Sequence, residues 1–260
     1  MRSATSSSPV ADLFNRVARE PDSVAAYGAH PAQVVDVYRS AEWGPTVLLV
    51  HGGYWRARYD RMHLRPMAEA LASRGLTVVL PEYRRVGDEG GGWPAAVDDV
   101  RAAVEWASSA GLAPDVVAGH SAGGHLAVRA FTEAPGREAW VGLAATPLVV
   151  ALAGVLDLAE AHRARYSDDA VGELLSVDAP GFAERLASAD PLGLPSPVGG
   201  VHLVHGTADE DVPVAQSRSY ARAHPDAVLT ELEGADHFDL IDPTAPAFAA
   251  VVEAVTAPRP

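Results

Sequence analysis

Ser121 stands in the string Gly119-His120-Ser121-Ala122-Gly123, between a short apolar run, Val116-Val117-Ala118, and a helix-like stretch, Gly124 to Thr132. A G-x-S-x-G between a strand and a helix is the setting in which a serine becomes a nucleophile. A sharp turn lifts its Oγ clear of the sheet, and the flanking glycines let neighbouring backbone pass without a clash. The following helix directs free N–H groups and the positive end of its dipole toward the serine. The pentapeptide alone is a modest signal, arising by chance in roughly one random shuffle in ten of such a glycine- and serine-rich chain, so its surroundings must decide.

A serine at its ordinary pKa is a poor nucleophile and needs a base within reach, with an acid to fix that base's tautomer. The candidates are His237, in Gly234-Ala235-Asp236-His237-Phe238, and Asp209, in His205-Gly206-Thr207-Ala208-Asp209. Asp209 is favoured over Asp211 because it follows the Gly206 turn by three residues, whereas Val212-Pro213 already reads as the start of a helix. Glu210 and Asp236 read as solvated or capping residues. The chain order Ser, Asp, His is that of the α/β-hydrolases and differs from both common serine protease orders. Upstream, the strand-like Thr46 to Val50 runs into His51-Gly52-Gly53-Tyr54-Trp55. Its glycine pair can turn N–H groups outward, so an oxyanion hole would combine the N–H of Ala122 with one from the Gly52-Gly53-Tyr54 turn, at Gly53 or Tyr54. His51 would fix that loop, His120 would shape the turn around Ser121, and His125 would pack or cap.

These residues need a sheet to hold them. Strand-like runs at Val34–Tyr38, Thr46–Val50, Leu76–Leu80, Asp115–Ala118, Leu148–Val155, Val201–Val204 and Val228–Leu232 alternate with helix-like stretches, which predicts a mostly parallel α/β sheet covered on both faces. Leu64, Met67, Ala68 and Leu71 form one helical stripe. Val97, Val100, Val104 and Ala107 form another, after a start marked by Trp93-Pro94 and acidified by Asp98 and Asp99. Residues 157–197 are helix-prone but broken by prolines, the makeup of a cap inserted between the runs at 148–155 and 201–204. Residues 1–260 read as one domain with frayed ends at 1–9 and 257–260.

Composition narrows the function. About half of the 260 residues are apolar, there is no cysteine, and the formal charge is −14. Disulfides, thiolate metal sites and cysteine nucleophiles are excluded, and a reducing cytoplasm is the expected location. The acidic balance argues against nucleic acid, no apolar run reaches the length of a membrane span, and no secretory leader is evident. His202, His205 and Asp209 lie close in sequence, but strand residues three apart face opposite ways, so no metal is expected. Gly90-Gly91-Gly92 lacks the lysine of a phosphate loop and reads as a flexible loop positioning Trp93.

His51-Gly52-Gly53-Tyr54-Trp55, the run Gly119 to Ala127, Asp209 and His237 together resemble the kynurenine formamidase (arylformamidase) branch of the α/β-hydrolases, with the H-G-G-x-W string the more specific element. The wider neighbourhood is the hormone-sensitive lipase type of esterase, echoed by Glu82-Tyr83-Arg84-Arg85 and Pro94 to Asp99. That group usually has a third glycine where Tyr54 stands and an aspartate where His120 stands, which moves this chain toward the formamidases. Formamidases often carry an aromatic where Leu156 stands in Ala153-Gly154-Val155-Leu156-Asp157-Leu158. The resemblance covers roughly residues 33–255 and implies a sheet of about eight strands, no cofactor, and hydrolysis of a small ester or an N-formyl aryl amide. Tyr54, Trp55 and Trp93 would make an aromatic mouth, with His120 and Leu156 as further substrate contacts. Small-ester hydrolysis, acyl transfer and lactonisation use the same residues. A ligand receptor on the same fold has no need of His237.

Overall fold

The apolar runs become strands because their residues are buried on both faces of one sheet. The computed structural model describes residues 14, 16–42, 44–132 and 146–257; of the ends expected to fray at 1–9 and 257–260, all but residue 257 lie outside the described residues. Eight strands, β1 (Ser23–Ala26), β2 (Val34–Tyr38), β3 (Thr46–Val50), β4 (Thr77–Pro81), β5 (Val116–His120), β6 (Leu148–Leu152), β7 (Val201–Gly206) and β8 (Val228–Leu232), lie in the order β1-β2-β4-β3-β5-β6-β7-β8. β2 runs antiparallel to β1 and β4, and every pairing from β4 to β8 is parallel. This is the α/β-hydrolase fold.

The pleat sends alternate residues into two cores. Leu48 and Val50 join the cluster that includes Val97, Val100, Val104 and Leu126. Val47 and Leu49 join Leu64, Met67, Ala68, Leu71, Phe248 and Val251 on the other face. Leu64 ends a 3-10 turn (Arg61–Leu64), and the other residues come from the helices α1 (Arg65–Ala72), α2 (Ala95–Ser109), α3 (Ala122–Phe131) and, last in the chain, α8 (Phe248–Thr256). Between β6 and β7 lie α4 (Leu158–Arg163), α5 (Tyr166–Leu174) and α6 (Phe182–Ala189), and α7 (Ala215–Ala223) follows β7. Among the described residues no helix is long and apolar enough to cross a membrane.

Several boundaries differ from the sequence expectation: β4 is shifted by one residue and β7 runs two residues further, to Gly206. β1 is an edge strand, mostly exposed, whose Ser-Val-Ala-Ala carries no apolar run to announce it. β5 continues two residues further, so Ser121 follows the strand with no intervening loop. β6 stops at Leu152 because Ala153 turns to a φ of +48°, and the N–H of Val155 then reaches Ser121 O at 3.4 Å.

Parallel pairing aligns the carboxyl ends of the central strands: Val50 lies beside Gly119, His120 beside Leu152, Leu152 beside Val204, and Gly206 beside Leu232. The loops after β3, β5, β6, β7 and β8 therefore open on one edge. Helix α3 approaches that edge closely enough that a Cβ on Gly123 would overlap the backbone oxygens of Val50 and His51. Gly123→Ala is expected to destabilise the fold by about 1–3 kcal/mol through overpacking. Chemical denaturation measures this directly, and an unchanged midpoint would contradict the contact.

Candidate active site

The turn at Ser121 is strained in the way the G-x-S-x-G motif requires. Ser121 has φ +56° and ψ −121°, a conformation that L residues rarely adopt. Four hydrogen bonds hold it there. Its N–H donates to Leu152 O at 2.8 Å, and its carbonyl accepts from Gly124 N at 2.9 Å, His125 N at 3.2 Å and Val155 N.

His237 and Asp209 meet because the loops after β7 and β8 touch. Ala208 N donates to Ala235 O at 3.0 Å, and Gly206 lies so close to Ala235 that a Cβ would overlap its carbonyl. His237 Nδ1 donates to Asp209 Oδ2 at 2.7 Å, with both residues buried. That bond places the ring's proton on Nδ1 and leaves Nε2 as the lone-pair base. The other carboxylate oxygen of Asp209 accepts from Val212 N at 2.7 Å and Asp211 N at 3.0 Å. Burial pushes the Asp209 carboxyl up, but hydrogen bonding from His205 and His237, the charge of His237 and the Val212 N–H outweigh it, holding the group well below the usual carboxylate range. His205 Nε2 lies 3.4 Å from Asp209 Oδ2 while donating to Val212 O at 2.8 Å, and its Nδ1 accepts from Ser217 Oγ at 2.7 Å. Asp211 faces Tyr54, whose hydroxyl lies 3.5 Å from Oδ1, so Asp209 is the carboxylate that meets His237. Glu210 is exposed, and Asp236 caps the turn after His237 by accepting from Phe238 N and Asp239 N.

His120 ties the two halves together. Its Nε2 donates to the carbonyl of His237 at 2.9 Å, and the two rings lie 4.4 Å apart. Burial, then the charge of His237, pushes its pKa far down, so it stays neutral. Ser121 Oγ and His237 Nε2 carry no hydrogen bond among the described residues. Such contacts commonly close only around a bound substrate.

The loop after β3 lies against the serine: a Cβ on Gly52 would come within 3.0 Å of Ser121 Cβ. Gly53, Tyr54 and Trp55 all have positive φ, at +110°, +53° and +57°. His51 Nδ1 donates to Gly52 O at 2.7 Å. Because the peptide is planar and trans, the Gly53 N–H points the opposite way from that oxygen. No hydrogen bond among the described residues uses the N–H of Gly53, Tyr54 or Ala122. The first N–H groups of a helix lack intrahelical partners, which gives Ala122 its free donor.

The structure removes Trp55 from the expected aromatic mouth of Tyr54, Trp55 and Trp93. Trp55 is 1% exposed and belongs to the core beneath the loop, leaving Tyr54 and Trp93 half-buried. Trp93 Nε1 donates to Ser188 Oγ on α6 at 3.0 Å. Leu156 is fully buried, its N–H held by Gln216 Oε1 at 2.9 Å. His202 bonds Thr230 Oγ1 and His205 turns to Ser217, so the two diverge. No group of three or more metal-ligating side chains is gathered among the described residues.

Sequence reasoning missed the partner of His51. Both ring nitrogens of His51 face acceptors, Gly52 O and Glu82 Oε1, the latter at 2.6 Å, and Tyr83 stacks on the ring at 4.4 Å. Burial pushes the Glu82 carboxyl up, but the His51 charge and hydrogen bond, Arg85 and the Arg61 N–H outweigh it and bring it down to about 2. A folded-state pKa below the ordinary 4.5 stabilises the fold above about pH 4.5, and that stabilisation is lost as pH falls toward 2. The wild type should therefore exceed Glu82→Gln in stability at pH 6, with the margin shrinking by pH 3. Denaturant midpoints across that range check this, and a margin independent of pH would contradict it.

Comparison with known proteins finds relatives in sequence and in fold. Esterase LipQ of Mycobacterium tuberculosis (strain ATCC 25618 / H37Rv) is 29% identical over 238 residues, which cover 80% of this chain, and the chain spans 54% of that relative's length. Among solved structures, a truncated form of a carbohydrate esterase from gut microbiota superposes with a TM-score of 0.71 at 19% identity, covering 92% of this chain and 98% of that one. Esterase B from Lactobacillus rhamnosis gives 0.71 at 22% identity, covering 92% and 88%. These two likenesses are of fold. The BD-FAE family model matches residues 35–223, which take in the loop after β3, the serine turn and Asp209, and the chain belongs to the BD-FAE family.

Proposed function

We propose that this protein is a serine hydrolase that cleaves small acyl esters through an acyl-enzyme on Ser121. The observation that carries this reading is the buried 2.7 Å bond from His237 Nδ1 to Asp209, which leaves Nε2 as a base on a loop tied to the serine turn. The esterase names of the relatives support it.

In this reading Ser121 Oγ attacks the carbonyl carbon while His237 Nε2 takes the hydroxyl proton. The carbonyl π electrons move to oxygen, and the Ala122 N–H and an N–H at Gly53 or Tyr54 stabilise that oxyanion. Collapse expels the leaving group, which receives the proton from His237. A water then repeats the sequence on the acyl-enzyme, with His237 again the base, and releases the acid and free Ser121. Asp209 stays ionised throughout and stabilises the imidazolium. The reaction as written needs only these groups and water. Residues 157–197 act as a cap, fastened by Arg56, whose guanidinium holds Glu173 at 2.6 and 2.9 Å and Ser167 O at 2.7 Å.

We further propose that formyl is the preferred acyl group and that an N-formyl aryl amide is a substrate. The H-G-G-x-W string motivates this choice, with Tyr54 half-buried on the oxyanion loop.

A fluorophosphonate should label the wild type and leave Ser121→Ala unlabelled; labelling that survives in the variant would overturn the nucleophile. Asp209→Asn should lower kcat by about 10⁴, as expected for a misplaced tautomer. Asp211→Asn should stay within about tenfold of wild type, and the reverse ranking would move the acid to Asp211. On one aryl leaving group, kcat/KM should fall steeply from formyl to acetyl to butyryl, because steric exclusion adds to the roughly 1–3 kcal/mol that each methylene commands. Equal or rising activity toward butyryl, without amide cleavage, would leave a carboxylesterase that shares the formamidase loop.

A further inference from the structure

His237 sits on a long loop that the sheet by itself does not hold. Residues 233–247 run from β8 to α8, and β8 is an edge strand with no buried residue. The first part of the loop is tied to its neighbours: Gly234 N–H donates to Thr207 Oγ1 at 2.9 Å, and the bonds to Ala208, Asp209 and His120 follow. The part after His237 meets a segment from the other end of the chain. Arg16 Nη2 donates to Asp242 Oδ2 at 3.0 Å, its Nη1 reaches Oδ1, and both nitrogens lie 3.3 Å from Thr244 Oγ1. Two residues before Arg16, the ring of Phe14 stands edge-on to that of Phe238 at 5.8 Å. Phe238 in turn stands perpendicular to the His237 ring at 5.1 Å.

Phe14 is 38% exposed, so it is not a core residue, yet its ring meets the supports of two parts of the site. It stacks on His63 at 5.1 Å and tilts against Tyr59 at 6.4 Å, separations at which aromatic rings attract. Tyr59 packs so closely on the loop after β3 that a Cβ on Gly53 would overlap it. His63 stands perpendicular to His51 at 5.8 Å, and burial pushes its pKa down to about 3, so the ring beneath Phe14 is neutral. One ring is thus wedged between the flank of the oxyanion loop and the residue next to the base. Arg16 fixes that wedge, because Asp242 N–H donates to Phe238 O at 3.1 Å and belongs to the same turn. A partly exposed ion pair of this kind adds little to overall stability, so its effect is on where the turn lies.

We infer that Phe14, fastened by Arg16, is a positioning residue for His237: it fixes Phe238, and through it the imidazole, at a set distance from the oxyanion loop. The base has still to close on Ser121 when substrate binds, and a displacement of about 1 Å at that step can cost on the order of a hundredfold in rate. Acting through Phe238, Phe14 governs the chemical step and leaves substrate affinity alone. The inference rests on the serine hydrolase reading and adds a residue from outside the sheet to it.

Steady-state kinetics on 4-nitrophenyl acetate test it, together with one NMR signal, the downfield Nδ1 proton that His237 shares with Asp209. Phe14→Ala should lower kcat at least about tenfold while KM stays within about twofold, the split expected when only the chemical step suffers. The same substitution should shift or broaden the Nδ1 signal. Phe14→Tyr, which keeps the ring, should return both kcat and the signal to near the wild-type state. Should Phe14→Ala fail to fold, Arg16→Met decides in its place: it removes both bonds to Asp242, keeps the side-chain stem, and should lower kcat by about threefold or more with the same change in the signal. An unchanged kcat in the deciding variant would overturn the inference. So would a loss of activity that leaves the Nδ1 signal in place, or one that Phe14→Tyr shares in full, since a merely structural role gives those results. Failure of the underlying reading looks different: Ser121→Ala would then turn over the ester at the wild-type rate, whatever the substitution at Phe14 does.

Discussion

The site depends on one backbone conformation, the positive-φ turn at Ser121. A non-glycine residue in such a conformation costs on the order of 1–3 kcal/mol and persists only where its surroundings over-determine it. Here the surroundings are the parallel sheet itself. Ser121 N–H continues the β5–β6 ladder by reaching Leu152 O, while Ser121 O already accepts the first bonds of α3. One residue thus belongs to a strand on one side and a helix on the other. The close approach of Gly123 to the backbone of Val50 and His51 then fixes how far α3 stands from β3. The loop carrying Gly53 and Tyr54 is placed beside the serine for the same reason.

Around that turn, charge and tautomer are set by what each ring nitrogen faces. His120 and His125 each donate from Nε2 to a carbonyl, and burial keeps both neutral. His237 differs because its Nδ1 meets the ionised Asp209. His51 differs again, with acceptors at both nitrogens and Glu82 held as a carboxylate beside it. Four histidines within one site therefore do four different jobs: tying two loops, holding α6, orienting toward a carboxylate, and pinning the Gly52 carbonyl. Low local dielectric sharpens each assignment, since an unpaired charge on any of these rings would be expensive.

Much of this was legible in the sequence. Strands β2, β3 and β8 begin and end where the strand-like runs do, and β3, buried along its whole length, shows the continuous apolar run that a central strand needs. Asp209 and His237 were legible from chain order, and Asp209 could be set above Asp211 from its spacing to Gly206. What escaped lies in contacts between distant segments. Arg56 meets Glu173 across 117 residues, and His125 meets Ala189 across 64. Neither leaves a local pattern. Trp55 was read as part of an aromatic mouth because an aromatic in a glycine-rich loop gives no indication of which side it turns to, and in the structure it lies in the core. Strand β1 escaped because an exposed edge strand needs no apolar run.

The proposed chemistry passes through a covalent bond at Ser121. Acid-quenching the protein during turnover of an aryl ester, digesting it, and weighing the peptide that contains Ser121 measures this most directly. This peptide should gain the mass of the acyl group, and the adduct should accumulate in proportion to a burst of released phenol. Turnover at full rate with no adduct, or with the acyl group on another residue, would contradict it.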